Sequence, residues 1–145
     1  MAKVIAVNIS EKKGEIKTPI EKGYFKENHG LVGDAHAGDW HRQVSLLGKE
    51  SIDKMDMTKV DGSSYGKFAE NITTQGVILF ELPIGTKLQI GETIMEVTQI
   101  GKECHEGCQI RKIVGDCIMP REGIFAKVLV GGNIQAGDEF TVLNK

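Results

Sequence analysis

Lys87-Leu88-Gln89-Ile90-Gly91-Glu92-Thr93-Ile94-Met95-Glu96-Val97-Thr98-Gln99-Ile100 is the stretch that decides the fold class. Polar and apolar residues alternate on both sides of Gly91-Glu92, the pattern of strands with one buried face. A two-residue connection containing glycine suits a tight turn, so the segment predicts a β-hairpin. Its surroundings extend the reading. Gly123–Val130 and Glu139–Leu143 read as strands, with Gly131-Gly132 and Gly137-Asp138 as turns. Upstream, Lys3–Ile9 alternates and is β-branched at several positions, and Gln43–Leu47 is a short apolar strand. Two segments carry helical signals: Lys49–Met57, stopped by Asp61-Gly62, and Gln109–Val114, closed by Gly115. Residues 10–41 are polar and weakly patterned, and are expected to be extended segments with loops.

Glycine occurs 18 times in 145 residues, well above the usual ~7%, which favours many tight turns. There is no regular strand–helix alternation. The expectation is a mainly β fold: a closed or partly open antiparallel-type barrel with one or two short helices. Repeats, low-complexity tracts and linkers are absent from the sequence. A single domain spanning 1–145 is therefore expected, since this length suits one core.

The formal net charge is -2, which gives no broad attraction to nucleic acid or to anionic membranes. No apolar run approaches the ~20 residues needed to span a bilayer. Met1-Ala2-Lys3-Val4-Ile5-Ala6-Val7 is followed at once by Asn8 and Ser10, so it reads as a first strand rather than an export signal. The expected location is cytoplasmic. The cytosol is kept reducing, so the three cysteines are not expected to form structural disulfides.

All three cysteines fall in Gly101-Lys-Glu-Cys-His-Glu-Gly-Cys-Gln-Ile110 and Gly115-Asp-Cys-Ile-Met-Pro120. Lys102, Arg111 and Lys112 are close in sequence. If Gln109 opens a helix, Cys108 sits at its positive end, which together with the nearby cations favours thiolate. Thiolate is the form that attacks electrophiles, carries a persulfide sulfur or ligates a soft metal. The plain alternative is a small buried side chain. It carries even weight for Cys117, beside Ile118 and Met119, and less for Cys104 and Cys108, whose neighbours are polar, charged or glycine. Cys104, His105, Cys108 and Cys117 also supply enough ligands for zinc, though the paired knuckle spacing is absent.

A second constellation is Gly30-Leu-Val-Gly-Asp-Ala-His36 with His41-Arg42-Gln43-Val44-Ser45. Glycines there can bring backbone N–H groups close to an anion. Arg42 can hold a phosphate by its fork of donors, and His36 can shuttle a proton. From the residues alone, an ordinary polar loop is the better reading. In Phe68-Ala-Glu-Asn-Ile-Thr-Thr-Gln-Gly76, Glu70 and Asn71 can fix a loop or face a ligand, and structural hydrogen bonding is the commoner use. Lys17-Thr-Pro-Ile-Glu-Lys22 reads as solvated surface. Trp40, beside His41, reads as a partly buried aromatic before it reads as a stacking platform.

In this order, Gly30–His36 with Arg42–Ser45, Ala69-Glu-Asn-Ile-Thr-Thr74, Leu82-Pro-Ile-Gly-Thr-Lys-Leu-Gln-Ile-Gly91, Glu96-Val-Thr98 before the cysteines, and Gly123-Ile-Phe-Ala-Lys-Val128 through Gly137-Asp138 resemble the MOSC domain. That module is named for the C-terminal domain of molybdenum-cofactor sulfurases, and the matching pieces cover nearly the whole chain. The resemblance implies a β-barrel with a cleft, and in that cleft a cysteine that carries sulfur or ligates the molybdenum of the pterin cofactor. In the mitochondrial amidoxime-reducing component a Cys-x-x-Cys stretch precedes a similar tail. Its second cysteine corresponds best to Cys108, with Cys104 as the alternative because the spacing differs by one residue. Those enzymes have an extra N-terminal β-barrel domain that this chain is too short to include. The pyridoxal-phosphate domain of the sulfurases has no counterpart here, so no pyridoxal phosphate is expected.

Three readings follow from the resemblance and the residues. The first is a molybdenum-cofactor (molybdopterin) binding or sulfur-carrier protein. In it Cys108 is the metal ligand or persulfide carrier, and Cys104 or Cys117 resolves a disulfide. His36 acts beside them, while Arg42, Asn71, Cys117 and the Gly30–Asp34 backbone, Gly33 and Asp34 included, face the cofactor. Its partners would be cofactor-biosynthesis proteins or a sulfur donor such as a cysteine desulfurase. The second is a molybdenum-dependent reductase of N-hydroxylated substrates fed by partner reductases. The third is a non-enzymatic module whose cysteines hold zinc. Either a monomer or a small homo-oligomer fits each of them.

Overall fold

The computed structural model describes residues 2–10, 17–35, 37–52, 70–101 and 122–143. In chain order the strands are β1 (Lys3–Ile9), β2 (Thr18–Ile20), β3 (Lys22–Lys26), β4 (Gly30–Leu31) and β5 (Val44–Gly48). A helical turn α1 (Lys49–Ile52) follows. Then come β6 (Ile72–Gln75), a 3-10 turn at Leu79–Glu81, β7 (Lys87–Ile90), β8 (Thr93–Ile100), β9 (Ile124–Val130), β10 (Gly132–Gln135) and β11 (Phe140–Val142).

The hairpin expected from alternation is β7–β8, with Leu88 opposite Met95 and Ile90 opposite Thr93. Leu88, Ile90, Met95 and Val97 face inward and are fully buried. The turn needs its glycine: Gly91 has φ 56, and a Cβ there would lie 2.5 Å from Asp138 Oδ2. From the hairpin an eight-stranded sheet runs β11-β7-β8-β9-β5-β6-β1-β2, and a three-stranded sheet runs β10-β3-β4. Core residues from both sheets, including Val4, Val7, Phe25, Leu31, Leu46, Ile72, Ile124, Ile134 and Phe140, form one cluster.

The fold is mainly β, as read, and the described sheets are not closed into a barrel. One bridge, Lys3 with Glu139, brings the start of β1 to the chain just before β11. Val4 N–H donates to Asp138 O at 2.8 Å and Gly137 N–H to Val4 O at 2.7 Å. Not every pair is antiparallel: β5 and β6 run parallel, with Leu46 opposite Ile72. A parallel pair needs a long crossover, and here the chain between the two includes α1. All five residues of β5 are buried, which is why its segment reads as a continuous apolar run.

Two strands that the sequence pattern does not announce are β6 and β10. Gly132, read as part of a turn, instead opens β10, which pairs with β3 from Gly132–Phe25 to Gln135–Lys22. Of the helix expected at Lys49–Met57, Lys49–Ile52 is helical and the rest lies outside the described residues. The helix expected at Gln109–Val114 lies outside them entirely. Among the described residues no helix is long and apolar enough to cross a membrane.

Candidate functional site

The loop that leaves β4 is built around a charge pair. Lys17 Nζ lies 2.8 Å from Asp34 Oδ1, and both side chains are fully buried. Ser10 N–H donates to the same Asp34 oxygen at 3.0 Å, and Lys17 Nζ donates to Ser10 Oγ at 3.0 Å. This corrects the reading of Lys17–Lys22 as solvated surface: Lys17 is 1% exposed. Its ammonium is in the interior because Asp34 and Ser10 supply acceptors there, without which a buried charge is prohibitive. Asp34, whose backbone is expected to face a cofactor phosphate, turns its carboxylate to this pair.

Gly30 and Gly33 both take positive φ, 112 and 90. At Gly30 the reason is steric as well: a Cβ would stand 2.5 Å from Gln43 O. That contact seats the loop against the start of β5. Gln43 locks the same corner, accepting from Val128 N–H at 2.9 Å and donating to Asn28 Oδ1 at 3.1 Å.

Trp40, His41 and Arg42 come next and form the candidate surface. The Arg42 guanidinium lies 4.8 Å from the Trp40 ring centroid and 5.8 Å from that of Phe125. Cation–π attraction holds a guanidinium in such a place. Arg42 is half-buried, and its Nε is buried without a hydrogen-bond partner. Trp40 and His41 meet edge to face at 5.8 Å. The sequence reading singled out Trp40 and Arg42 but missed Phe125, which lies far along the chain.

His41 joins this surface to β8. Its Nε2 is 2.9 Å from Gln99 Oε1, and Gln99 Nε2 donates to Gly101 O at 2.6 Å. Because the Gln99 amide nitrogen is donating to Gly101, its oxygen must accept, so His41 carries its proton on Nε2. The Thr98 hydroxyl donates to the His41 carbonyl. Thr98 lies in a β-bulge of β8 against β9, between Val97 and Gln99, a device that re-aims side chains. Gly101 N–H donates to Gly123 O at 2.7 Å. Gly101 and Gly123, which flank the cysteine-containing part of the sequence, therefore meet beside the His41–Gln99 contact.

Asn71 sits in a buried clamp with Ser45, the residue paired opposite Phe125. Its Oδ1 accepts from Ser45 N–H at 3.0 Å and Ser45 Oγ at 3.1 Å, and its Nδ2 donates to Asn8 O at 3.2 Å. Asn8 Nδ2 donates to Glu70 O and to Thr73 Oγ1, whose hydroxyl donates to Glu70 Oε2 at 2.8 Å. These bonds tie β1, β5 and β6 together at one end. Cys104, Cys108, Cys117, His105 and His36 lie outside the described residues. Among the described residues no three His, Cys, Asp or Glu side chains gather to hold a metal ion. A polar groove of about 390 Å³ lies elsewhere, lined by Lys22, Gly91, Glu92, Asn133, Gln135 and Asp138. Glu92 and Asp138 accept there from the backbone N–H groups of Asn133 and Gln135.

Comparison with solved structures shows the same fold at low sequence identity. YiiM from Geobacillus stearothermophilus is 16% identical, with a TM-score of 0.75 over 99% of this chain and 76% of its own. YuaD from Bacillus subtilis is 16% identical, with a TM-score of 0.73 over 97% of this chain and 94% of its own. YiiM from Escherichia coli is 15% identical, with a TM-score of 0.70 over 100% of this chain and 71% of its own. No curated protein matches the chain. The MOSC domain family model matches residues 33–141, which span the Arg42 surface, the β7–β8 hairpin and the cysteine segment, and on that match the chain belongs to the MOSC domain family.

Proposed function

We propose that this chain binds the molybdenum cofactor at the Trp40–Arg42 surface, and that Cys108 serves beside it as sulfur carrier or metal ligand. MOSC domains are associated with molybdenum-cofactor binding. The observation that carries the reading here is Arg42: half-buried, stacked on Trp40 and Phe125, with Nε buried and without a partner. A buried donor without an acceptor costs about 1–3 kcal/mol, a cost that an anionic ligand removes. The guanidinium fork matches the oxygens of a phosphate in a bidentate way that a lysine cannot. The residues present therefore fit the phosphate of a pterin cofactor.

In this reading Arg42 holds the phosphate and Trp40 with Phe125 fixes the guanidinium plane. His41 and Gln99 fix the loop against the root of the cysteine segment. When bound, the cofactor supplies a molybdenum centre that takes sulfur ligands. The part of Cys108 is to present a thiolate. Sulfur loading balances without an outside oxidant. The Cys108 thiolate attacks the terminal sulfur of a donor persulfide on a cysteine desulfurase. The donor S–S bond breaks, a Cys108 persulfide forms, and the donor cysteine leaves as thiolate. Cys104 is the alternative carrier, and Cys117 the residue placed in sequence to resolve a disulfide.

The test uses the chain purified without oxygen. Incubated with a cysteine desulfurase and cysteine, it should gain one sulfur atom on the peptide that contains Cys108, and Cys108→Ser should not. Loaded with molybdopterin, it should bind with an affinity that Arg42→Ala lowers about tenfold or more. Neither sulfur uptake nor cofactor binding would remove the proposal. Stoichiometric zinc, with loss of fold on chelation, would select the zinc-holding module instead.

A further inference from the structure

We infer that the buried Lys17–Asp34 pair is a positioning device that sets the Trp40–Arg42 surface for an anionic ligand. This rests on the reading of Arg42 as an anion-binding residue. Asp34 Oδ1 receives Lys17 Nζ at 2.8 Å and Ser10 N–H at 3.0 Å. Ala35 N–H donates to Ser10 O at 2.8 Å. The end of β1 and the entry to β2 are thus pinned to the loop after β4. From Asp34 onward the loop is bonded turn by turn toward the surface. Ala37 N–H donates to Asp34 O at 3.2 Å, Gly38 N–H to His29 O at 2.7 Å, and Trp40 N–H to Gly38 O at 3.0 Å. A shift of Asp34 is a shift of the ring on which Arg42 lies.

Stability alone does not account for two charges in this place. Replacing a buried ion pair by apolar residues of similar volume is often neutral or stabilising. An apolar plug, however, accepts many small displacements. A charge pair whose partners are both hydrogen-bonded accepts few. An arginine held ready in its bound position loses less freedom when an anion arrives, and the gain appears as affinity. The pair therefore serves the geometry of Arg42 rather than the melting point.

Trp40 is the only tryptophan in the chain, so its emission reads this loop directly. The full-length chain is compared with Lys17→Arg, with Asp34→Glu and with the double variant Lys17→Leu, Asp34→Leu. Each is titrated with inorganic phosphate while Trp40 emission and acrylamide quenching are followed. The double variant, in which Ser10 N–H loses its Asp34 acceptor, should still unfold cooperatively. It and Asp34→Glu should show red-shifted, more readily quenched Trp40 emission and bind phosphate about tenfold more weakly. Lys17→Arg keeps the pair and should stay within about threefold of the parent. Parent-like emission and affinity in the double variant would overturn the inference. If that variant does not fold, Asp34→Glu decides by the same criteria, since it keeps both charges and moves only the carboxylate. A parent that does not bind phosphate removes the anion-binding reading of Arg42. The emission shift then still decides whether the pair positions the loop.

Discussion

Removal of the Lys17 ammonium takes away the cation that the buried Asp34 carboxylate meets at 2.8 Å. Lys17→Met should lower stability by about 3–5 kcal/mol, read from urea denaturation followed by Trp40 emission. A loss below about 1 kcal/mol would mean the carboxylate finds water or another cation. The residue also shows where sequence reading stops. Lys17 sits among polar residues, so its neighbours in the chain point to solvent, while its partner Asp34 is brought to it only by the pairing of β1 with β2 and by the loop after β4. Arg42 was singled out for its guanidinium fork, and its stacking on Trp40 was not read. Phe125, on the other side of the guanidinium, was not legible, because only the β5–β9 pairing brings it near. Asn71 was readable as a structural hydrogen-bonding residue or a ligand contact. The bonds to Ser45 and Asn8 are of the structural kind.

At the level of elements, the β7–β8 turn demands a glycine. Gly91→Ala should cost about 1–3 kcal/mol, from the positive φ and from the collision with Asp138 Oδ2. The check is thermal unfolding of the variant. A further Asp138→Ala exchange should recover only the collision with the carboxylate, leaving the positive φ and the 3.0 Å approach to Asn133 O. This hairpin was fully legible, since strict alternation around a glycine turn leaves one register that buries Leu88, Ile90, Met95 and Val97 together. β10 was hidden for the opposite reason. Gly132 gives no side-chain signal, yet a Cβ there would stand 2.6 Å from Glu92 Cβ, so the glycine marks close packing rather than a turn. β6 was hidden because Thr73 and Thr74 are buried polar residues, which breaks the alternation that reveals a strand. The parallel β5–β6 pair follows from a crossover that no local pattern announces.

Across the molecule, the pairings join distant parts of the chain: β10 returns to β3, and Gly137–Phe140 returns to Ala2–Val4. Such a topology must close long loops before its contacts form, so folding should take milliseconds to seconds rather than microseconds. Stopped-flow refolding followed at Trp40 checks this, with one dominant exponential expected. The bond from Gly101 N–H to Gly123 O has a different implication. It closes the end of β8 on the start of β9, where Ile100 already pairs with Ile124. Loop closure depends on length only logarithmically, about 0.6 kcal/mol for each halving. Exchange of 102–121 for a short glycine–serine link should therefore leave a cooperative fold with a melting point close to the parent, measured by calorimetry. The three thiols would then ride on an exchangeable cassette. A lineage could trade its reactive insert for another of different length and chemistry while the host strands stayed as they were.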